Sequence, residues 1–289
     1  MSYLVGGTVG TLLRRIWVSV ATVLLGGSAL VAAAVPAHAA PGCPDLHWIG
    51  VAGSGERDDP SVDAGMGRVI YNSLRDLSGW LQQDGRTMTA EAVAYPAAAV
   101  PEDGDLLGWG TFLSSVDTGV AALGNQYAAF TQRCPASKVV LAGYSQGAMV
   151  VHRNLAALAG SPQLAAALLV ADGDRLPTDP TVNLGTATEL STTGKGVAQD
   201  WPILSHAPGP LPVAVGQRTI SVCDRGDAVC DYDEDADEVT ATAIAIHTSY
   251  ARSAIGGYRW TWPLYRLLGP SPMQQQMVPD GPQAGVMHS

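Results

Sequence analysis

Short apolar runs alternate with amphipathic helical segments along most of this chain, and this alternation limits the possible fold more than any other feature. Apolar runs typical of buried strands occupy residues 46–51, 90–95, 138–142, 166–170 and 213–222. Apolar residues at helical spacing predict helices over 61–83, 111–133, 147–158 and 241–253. Strands separated by helices pair in parallel through right-handed crossovers. The expected fold class is therefore α/β, a three-layer α/β/α sandwich with a central, mostly parallel sheet.

Composition excludes several other classes of protein. Hydrophobic residues make up 47% of the 289 residues and charged residues only 15%, which favours a buried core over disorder. The 26 acidic residues outnumber the 16 basic ones, so the net charge is −10. A chain of this charge lacks the basic surface that binding to nucleic-acid phosphates requires. The 33 glycines and 19 prolines follow no fixed period, which excludes collagen and solenoids.

The first 39 residues have the pattern of a secretory signal. Arg14 and Arg15 are the only charged residues before Asp45, and an apolar run over 16–35 follows them. Ala37 and Ala39 form a small-x-small site, which predicts cleavage after Ala39. An uncleaved membrane anchor is the alternative, because about 20 apolar residues can span a bilayer. Residues 40–268 then form one domain, and residues 269–289 a loose tail.

The exported part of the chain contains four cysteines, Cys43, Cys134, Cys223 and Cys230. An even number of cysteines in an oxidising compartment indicates two disulfides, and three pairings are possible. A zinc site is the competing interpretation. It has no support here, because no C-x-x-C pair exists and no histidine lies at ligand spacing beside the cysteines.

Residues 143–147 read G-Y-S-Q-G and lie between the predicted strand 138–142 and the predicted helix 147–158. A serine on a tight strand-to-helix turn is held with its hydroxyl exposed, and small flanking residues let the backbone pass closely. The helix behind it offers free N–H groups to a developing oxyanion. This context predicts Ser145 as a nucleophile, whereas an ordinary glycine-rich turn is the alternative.

A nucleophilic serine needs a histidine base. His247 lies after the last predicted strand, where the hydrolase order Ser…Asp…His places the base. The other histidines beyond the predicted signal are His47 in the first strand, His152 on the helix of Ser145, His206 in an unperiodic region and His288 in the tail.

The base needs an orienting acid, and Asp227 is the leading candidate. It lies within residues 223–230, which read C-D-R-G-D-A-V-C, so that a disulfide could close the loop around it. Asp172 and Asp174, after the strand 166–170, form a rival acid site. The acidic run 231–238 resembles a calcium loop, but Ala236 replaces the required glycine and Thr242 the bidentate glutamate. We therefore interpret that run as a solvated surface.

Two further features shape the functional expectation. Residues 172–211 are rich in Gly, Pro and Thr without a clear period, which predicts a long loop or lid-like excursion. The seven tryptophans show no spacing typical of a planar sugar-binding strip, so the sequence favours core and helix packing for them.

Taken in order, these segments resemble the cutinase family of secreted serine esterases. The resemblance rests on C-P at 43–44 with G-S-G-E at 53–56, C-P at 134–135 with G-Y-S-Q-G, the C-x-x-x-D-x-x-C loop, and H-T-S-Y at 247–250. It covers residues 43–256. This sequence departs from the family in the longer gap between Cys230 and His247 and in the longer 172–211 excursion.

The resemblance implies catalytic roles for Ser145, Asp227 and His247, and an oxyanion hole built from Ser54 and the N–H of Gln146. It also implies Cys43–Cys134 and Cys223–Cys230 disulfides, a secreted or envelope-associated monomer, and neither cofactor nor metal. The implied substrate is a carboxylic ester, either cutin, another polyester or a short acyl ester. A cell-envelope phospholipase or thioesterase with the same triad is one alternative, and a secreted binding protein without turnover is another.

Overall fold

The computed structural model describes residues 42–101, 105–188, 194–201, 208–232, 239–252 and 257–271. Within these ranges, six strands form one sheet in the order β2-β1-β3-β4-β6-β5, and every neighbouring pair is parallel. The strands are β1 Leu46–Val51, β2 Met88–Ala92, β3 Lys138–Tyr144, β4 Leu164–Val170, β5 Val182–Leu184 and β6 Thr219–Val222. The helices are α1 Arg68–Gln83, α2 Leu106–Arg133, α3 Gln146–Leu158, α4 Val213–Gly216, α5 Ala241–His247 and α6 Thr261–Leu267.

Both faces of the sheet are covered by helices, which confirms the predicted three-layer α/β/α class. Successive side chains of a strand point to opposite faces. In β3, Leu141 packs in one core cluster with α2 and α3, whereas Val140 and Ala142 pack in the other cluster with α1 and α6. This double coverage explains why the strands read as continuous apolar runs rather than alternating ones.

The prediction of a single strand over residues 213–222 is wrong for the first half of that segment. The segment forms the short helix α4 and then the strand β6. Val213 is 60% exposed while Val215 is fully buried, so the loose alternation in this segment comes from one turn of helix before the strand. The sheet itself is wholly parallel in the described residues, not merely mostly parallel.

The unperiodic region 172–211 contains a strand that the sequence did not indicate. Val182–Leu184 pairs with β6 at the edge of the sheet, and with three partly exposed residues it is too short to produce a period. Backbone hydrogen bonds hold the described parts of this region. The N–H of Ala198 donates to Gly173 O, within the same region, at 2.9 Å, and the N–H of Val197 donates to Val229 O, in the loop after β6, at 2.8 Å.

Several helix limits differ from the prediction. The expected helix 61–83 is a 3-10 turn, Val62–Gly65, followed by α1, and Gly67 with φ 75° separates the two. α5 ends at His247 and continues as the 3-10 turn Thr248–Ala251. α2 begins at Leu106 because the carboxylate of Asp105 caps it by accepting from Gly108 N at 2.9 Å.

Two disulfides join Cys43 to Cys134 and Cys223 to Cys230, the pairing that the resemblance implies. The first links residues 91 apart and the second residues 7 apart. On chain entropy the long bridge contributes about 4.6 kcal/mol to stability and the short one about 2.5 kcal/mol. Within the described ranges, no helix combines the length and the apolar character needed to cross a bilayer.

Two glycines of α2 provide a matched test of this packing. A Cβ at Gly119 would lie 2.7 Å from Val150 Cγ2 and 2.8 Å from Tyr95 Cδ2, whereas a Cβ at Gly110 would have nothing within 4 Å. Both alanine variants gain helix propensity, about 1 kcal/mol. We expect Gly110→Ala to raise the free energy of unfolding by that amount, and Gly119→Ala to lower it by about 1–3 kcal/mol through overpacking. Urea denaturation of both variants measures the difference, and equal shifts would contradict the packing.

Candidate active site

Ser145 lies on the tight turn between β3 and α3, with φ 54° and ψ −120°. A non-glycine residue in this region is strained by about 1–3 kcal/mol, and such strain clusters at functional sites. The flanking glycines make the turn possible. A Cβ at Gly143 would overlap the backbone of Gly147, and a Cβ at Gly147 would overlap the carbonyl of Val51 on β1. The G-x-S-x-G spacing is therefore a steric requirement of this turn.

The structure brings Ser145, His247 and Asp227 together. His247 Nε2 is 3.0 Å from Ser145 Oγ. His247 Nδ1 is 3.1 Å from each carboxylate oxygen of Asp227. With the proton on Nδ1, where the carboxylate accepts it, Nε2 is free to accept from the serine hydroxyl. The arrangement can therefore remove a proton from Ser145.

The loop closed by Cys223 and Cys230 fixes the carboxylate of Asp227. Asp227 is fully buried, and its Oδ1 accepts from Val229 N at 2.7 Å and from Cys230 N at 3.0 Å. Charge-assisted bonds of this kind stabilise a carboxylate away from water. The short disulfide thus holds both the acid and the backbone donors that orient it.

Two tyrosines position the histidine and the acid loop, and sequence reasoning assigned a role to neither. Tyr144 donates its hydroxyl to His247 O at 2.8 Å, and its ring stacks on the imidazole with centroids 5.3 Å apart. Tyr250 accepts from Asp224 N at 2.6 Å. Burial raises the pKa of Tyr144, and the charges of Glu56 and Asp227 raise it further, so its phenol remains a donor at neutral pH. The last residue of H-T-S-Y was the available signal for Tyr250.

Ser54 and Gln146, the residues expected to form the oxyanion hole, occupy the loop after β1 and the first turn of α3. The hydroxyl of Ser54 is buried and has no hydrogen-bond partner among the described residues. The N–H of Gln146 lies in the first turn, where a helix supplies no internal acceptor. The side chain of Gln146 accepts from Ser115 Oγ at 3.3 Å and donates to Ala98 O at 3.2 Å, which anchors the turn to α2.

Glu56 supports the loop that carries Ser54. Its Oε2 accepts from Gly53 N at 2.7 Å and its Oε1 from Arg68 N at 3.2 Å, so one carboxylate joins this loop to the start of α1. A Cβ at Gly67 would overlap this carboxylate. Burial raises the pKa of Glu56 above its ordinary value, although the two N–H donors oppose this effect. The sequence contained Glu56 in G-S-G-E but did not indicate its contacts.

The rival candidates lie in separate structural networks. His152 Nδ1 is 2.5 Å from Asp172 Oδ2, and both side chains are 1% exposed. Asp174 pairs with Arg153 at 2.7 Å, and burial raises the pKa of Asp174 to about 6. His47 bonds to Thr89 and Glu91 and stacks on Phe130. His206, His288 and most of the acidic run (233–238) lie outside the described residues, as does the predicted signal.

The chain is similar to several known proteins. The family model described as Cutinase matches residues 42–260. A cutinase of Hypocrea jecorina is 33% identical over 137 residues, which are 47% of this chain and 49% of that protein, so the match spans about half the length of this relative. Phospholipase Culp4 of Mycobacterium tuberculosis is 27% identical over 217 residues, covering 75% of this chain and 80% of that protein.

Solved structures show the same fold. A cutinase-like protein from Cryptococcus sp. superposes with a TM-score of 0.56 at 21% identity, covering 79% of this chain and 97% of that one.

Glu56→Gln tests whether the Glu56 carboxylate positions the Ser54 loop. The variant keeps the side-chain shape but replaces one acceptor oxygen with an NH₂ group that cannot accept from Gly53 or Arg68. If the Ser54 loop donates to an oxyanion in the transition state, kcat for ester hydrolysis should fall about tenfold with little change in KM. Glu91→Gln, which alters a carboxylate bonded to His47, should keep full kcat.

The thermal stability of Glu56→Gln shows whether a loss of activity comes from a displaced Ser54 loop or from unfolding. Because the pKa of Glu56 is raised, burial of its ionised form costs free energy at neutral pH, and this cost disappears as the pH falls below the ordinary value. The neutral amide avoids the cost, which offsets the lost hydrogen bond, so Tm at pH 7 should change little. An unchanged kcat, or a kcat loss explained by unfolding, would contradict the assignment.

Proposed function

The chain belongs to the cutinase family, and from that premise we propose that it hydrolyses carboxylic esters through a covalent intermediate on Ser145. The observation that carries the proposal is the continuous chain of hydrogen bonds from Ser145 through His247 to Asp227. Each group in it has the neighbour that its role requires, a base for the nucleophile and a buried carboxylate for the base.

Acylation begins when Ser145 Oγ attacks the ester carbonyl carbon and His247 Nε2 takes the hydroxyl proton. The carbonyl π electrons move to oxygen, and the hydroxyl of Ser54 and the N–H of Gln146 donate to this oxyanion. An oxyanion-binding role for Ser54 is supported by its buried hydroxyl, which has no partner among the described residues that would compete with a substrate oxygen. The tetrahedral intermediate then collapses, and the alcohol leaves with the proton from Nε2.

Deacylation repeats the same sequence with water as the nucleophile. His247 takes a proton from water as the water oxygen attacks the acyl carbon, and Ser145 leaves with the proton that Nε2 returns. The carboxylate of Asp227 stabilises the imidazolium that forms in each half-reaction. The three donors around Asp227 Oδ1 hold the carboxylate in position for this role.

The start of α2 favours an apolar, long-chain ester as the second candidate substrate, next to short acyl esters. Ser115 contacts Gln146 at the level of the site, and α2 extends nine residues further back to Leu106. At 1.5 Å per residue this is about 13 Å beyond the site. Leu106 is 75% exposed and Leu107 is 86% exposed, so apolar side chains project where an aggregated lipid or polymer would approach.

Export is part of the proposal. The predicted signal and the two disulfides support a secreted protein, because disulfides persist in oxidising compartments. An ester outside the cell, either a polymer or an envelope lipid, is the corresponding substrate. The phospholipase named in Mycobacterium tuberculosis is consistent with the lipid alternative.

Hydrolysis of p-nitrophenyl esters with acyl chains of two to sixteen carbons tests the proposal. We expect turnover by the oxidised protein and its loss in Ser145→Ala, because the covalent route requires the serine oxygen. Ser78→Ala, which removes a hydroxyl bonded within α1, is the matched control and should keep full activity. Undiminished hydrolysis by Ser145→Ala would contradict the proposal.

The same series distinguishes the substrates. If the exposed leucines contact an aggregated ester, a Leu106→Ser/Leu107→Ser variant should lose activity on the sixteen-carbon ester and keep it on the soluble two-carbon ester. Equal effects on both esters would show that Leu106 and Leu107 do not determine which ester is hydrolysed.

A further inference from the structure

Three aromatic side chains form a cluster on the surface, which we call the aromatic patch, made of Trp80 on α1 and of Trp262 and Tyr265 on α6. The ring centroids of Trp80 and Trp262 are 4.9 Å apart, and those of Trp262 and Tyr265 are 5.3 Å apart at 22°. Trp80 is 36% exposed and Trp262 is 45% exposed. Single exposed aromatic residues are ordinary, but a contiguous exposed patch marks a contact surface.

The aromatic patch lies far from Ser145. Trp80 is in the last turn of α1, and the chain passes from there through Asp84 and Arg86 to the first residue of β2. The aromatic patch therefore lies at the amino ends of the strands, whereas Ser145 follows the carboxyl end of β3. The seven residues of β3 separate these two ends by about 23 Å. A ligand on the patch would leave the catalytic site open.

A buried ion pair holds the patch in place. Arg86 and Asp84 pair at 2.7 Å with side chains only 5% and 8% exposed. Tyr265 donates its hydroxyl to Asp84 Oδ2 at 2.8 Å, and the guanidinium of Arg86 lies 5.1 Å from the centre of the Tyr265 ring. Arg86 also donates to Gly269 O at 3.3 Å. These bonds fix Tyr265 in one orientation, which lowers the entropy cost of binding against it.

The patch lines a groove of about 590 Å³ with polar groups along it. The groove is also lined by Gln83 and Arg266, which are exposed, and by Asp84, which is buried. A groove of this volume is within the range of small-molecule and oligomer sites, which combine apolar walls with a few polar groups that set orientation.

The chemistry of the lining favours a saccharide over other ligands. A pyranose ring presents C–H faces that pack on indole and phenol rings, and equatorial hydroxyls that pair with a planar amide or guanidinium. An organic cation is disfavoured, because the rings pack against one another rather than around a cavity and the exposed Arg266 is positive. An acyl chain is disfavoured, because the groove contains the Asp84 carboxylate.

We propose that this groove binds pyranose units of a neutral polysaccharide. The proposal is independent of the chemistry at Ser145. It would hold the protein on a polymer while the opposite end of the sheet faces an ester. Trp80 and Trp262 are 182 residues apart in the chain, so spacing along the sequence could not reveal a shared surface, and the interpretation of all the tryptophans as packing residues is incomplete for this pair.

Isothermal titration of the full oxidised protein with xylohexaose, cellohexaose and mannohexaose tests the proposal. We expect binding of at least one of them, weakened about tenfold or more in Trp262→Ala and in Trp80→Ala, because stacked aromatic anchors dominate such contacts. Trp262→Phe keeps an aromatic face and should retain most of the affinity. Trp109→Ala removes an indole that packs on Trp201 elsewhere, and should bind as the unmodified protein does.

Hydrolysis of a soluble two-carbon p-nitrophenyl ester by each variant shows whether it has folded, and should be unchanged if the chain is an esterase. Circular dichroism provides the same check if it is not, so failure of the esterase proposal does not affect this test. Absence of binding to all three hexasaccharides, or equal affinity of Trp262→Ala, Trp80→Ala and the unmodified protein, would overturn the saccharide site.

Discussion

The contact between the start of α3 and the end of β1 determines how the rest of the site is arranged. Gly147 lies so close to the carbonyl of Val51 that no side chain fits between them. The turn carrying Ser145 is forced by this contact into a conformation that L-residues rarely adopt. Because β1 and β3 are neighbours in the sheet, the same contact places Ser145 beside the loop of Ser54. One packing constraint thus sets the positions of both Ser145, the proposed nucleophile, and the loop of Ser54, the proposed oxyanion donor.

The other half of the site is assembled from the carboxyl end of β6 and from the segment after it. The short disulfide and the backbone donors of Val229 and Cys230 hold Asp227, while Tyr250 bonds to the backbone of Asp224 in the same loop. Tyr144, the neighbour of Ser145, reaches across to the carbonyl of His247. This hydrogen bond and the one between His247 Nε2 and Ser145 Oγ join the two halves of the site.

Features governed by local sterics or strong periodicity could be predicted from the sequence. The G-x-S-x-G turn and the layer order are of this kind, since each depends on residues close in the chain or on long apolar repeats. The cysteine pairing was implied by the family resemblance, because the residues alone left three pairings open. β5 and α4 were missed because three residues at a sheet edge and one helical turn produce no period. The roles of Tyr144 and Glu56 and the aromatic patch arise from contacts between distant segments, which spacing along one sequence does not encode.

We infer that the turn after β3 holds Ser145 as the one activated nucleophile among the described residues. Trapping with a fluorophosphonate, followed by intact-protein and peptide mass spectrometry, tests it most directly. We expect one phosphonyl group per chain, located on Ser145, with labelling slowed at least a hundredfold in His247→Gln because the base is lost. An adduct on another residue, or a folded protein whose Ser145 remains unlabelled, would contradict it.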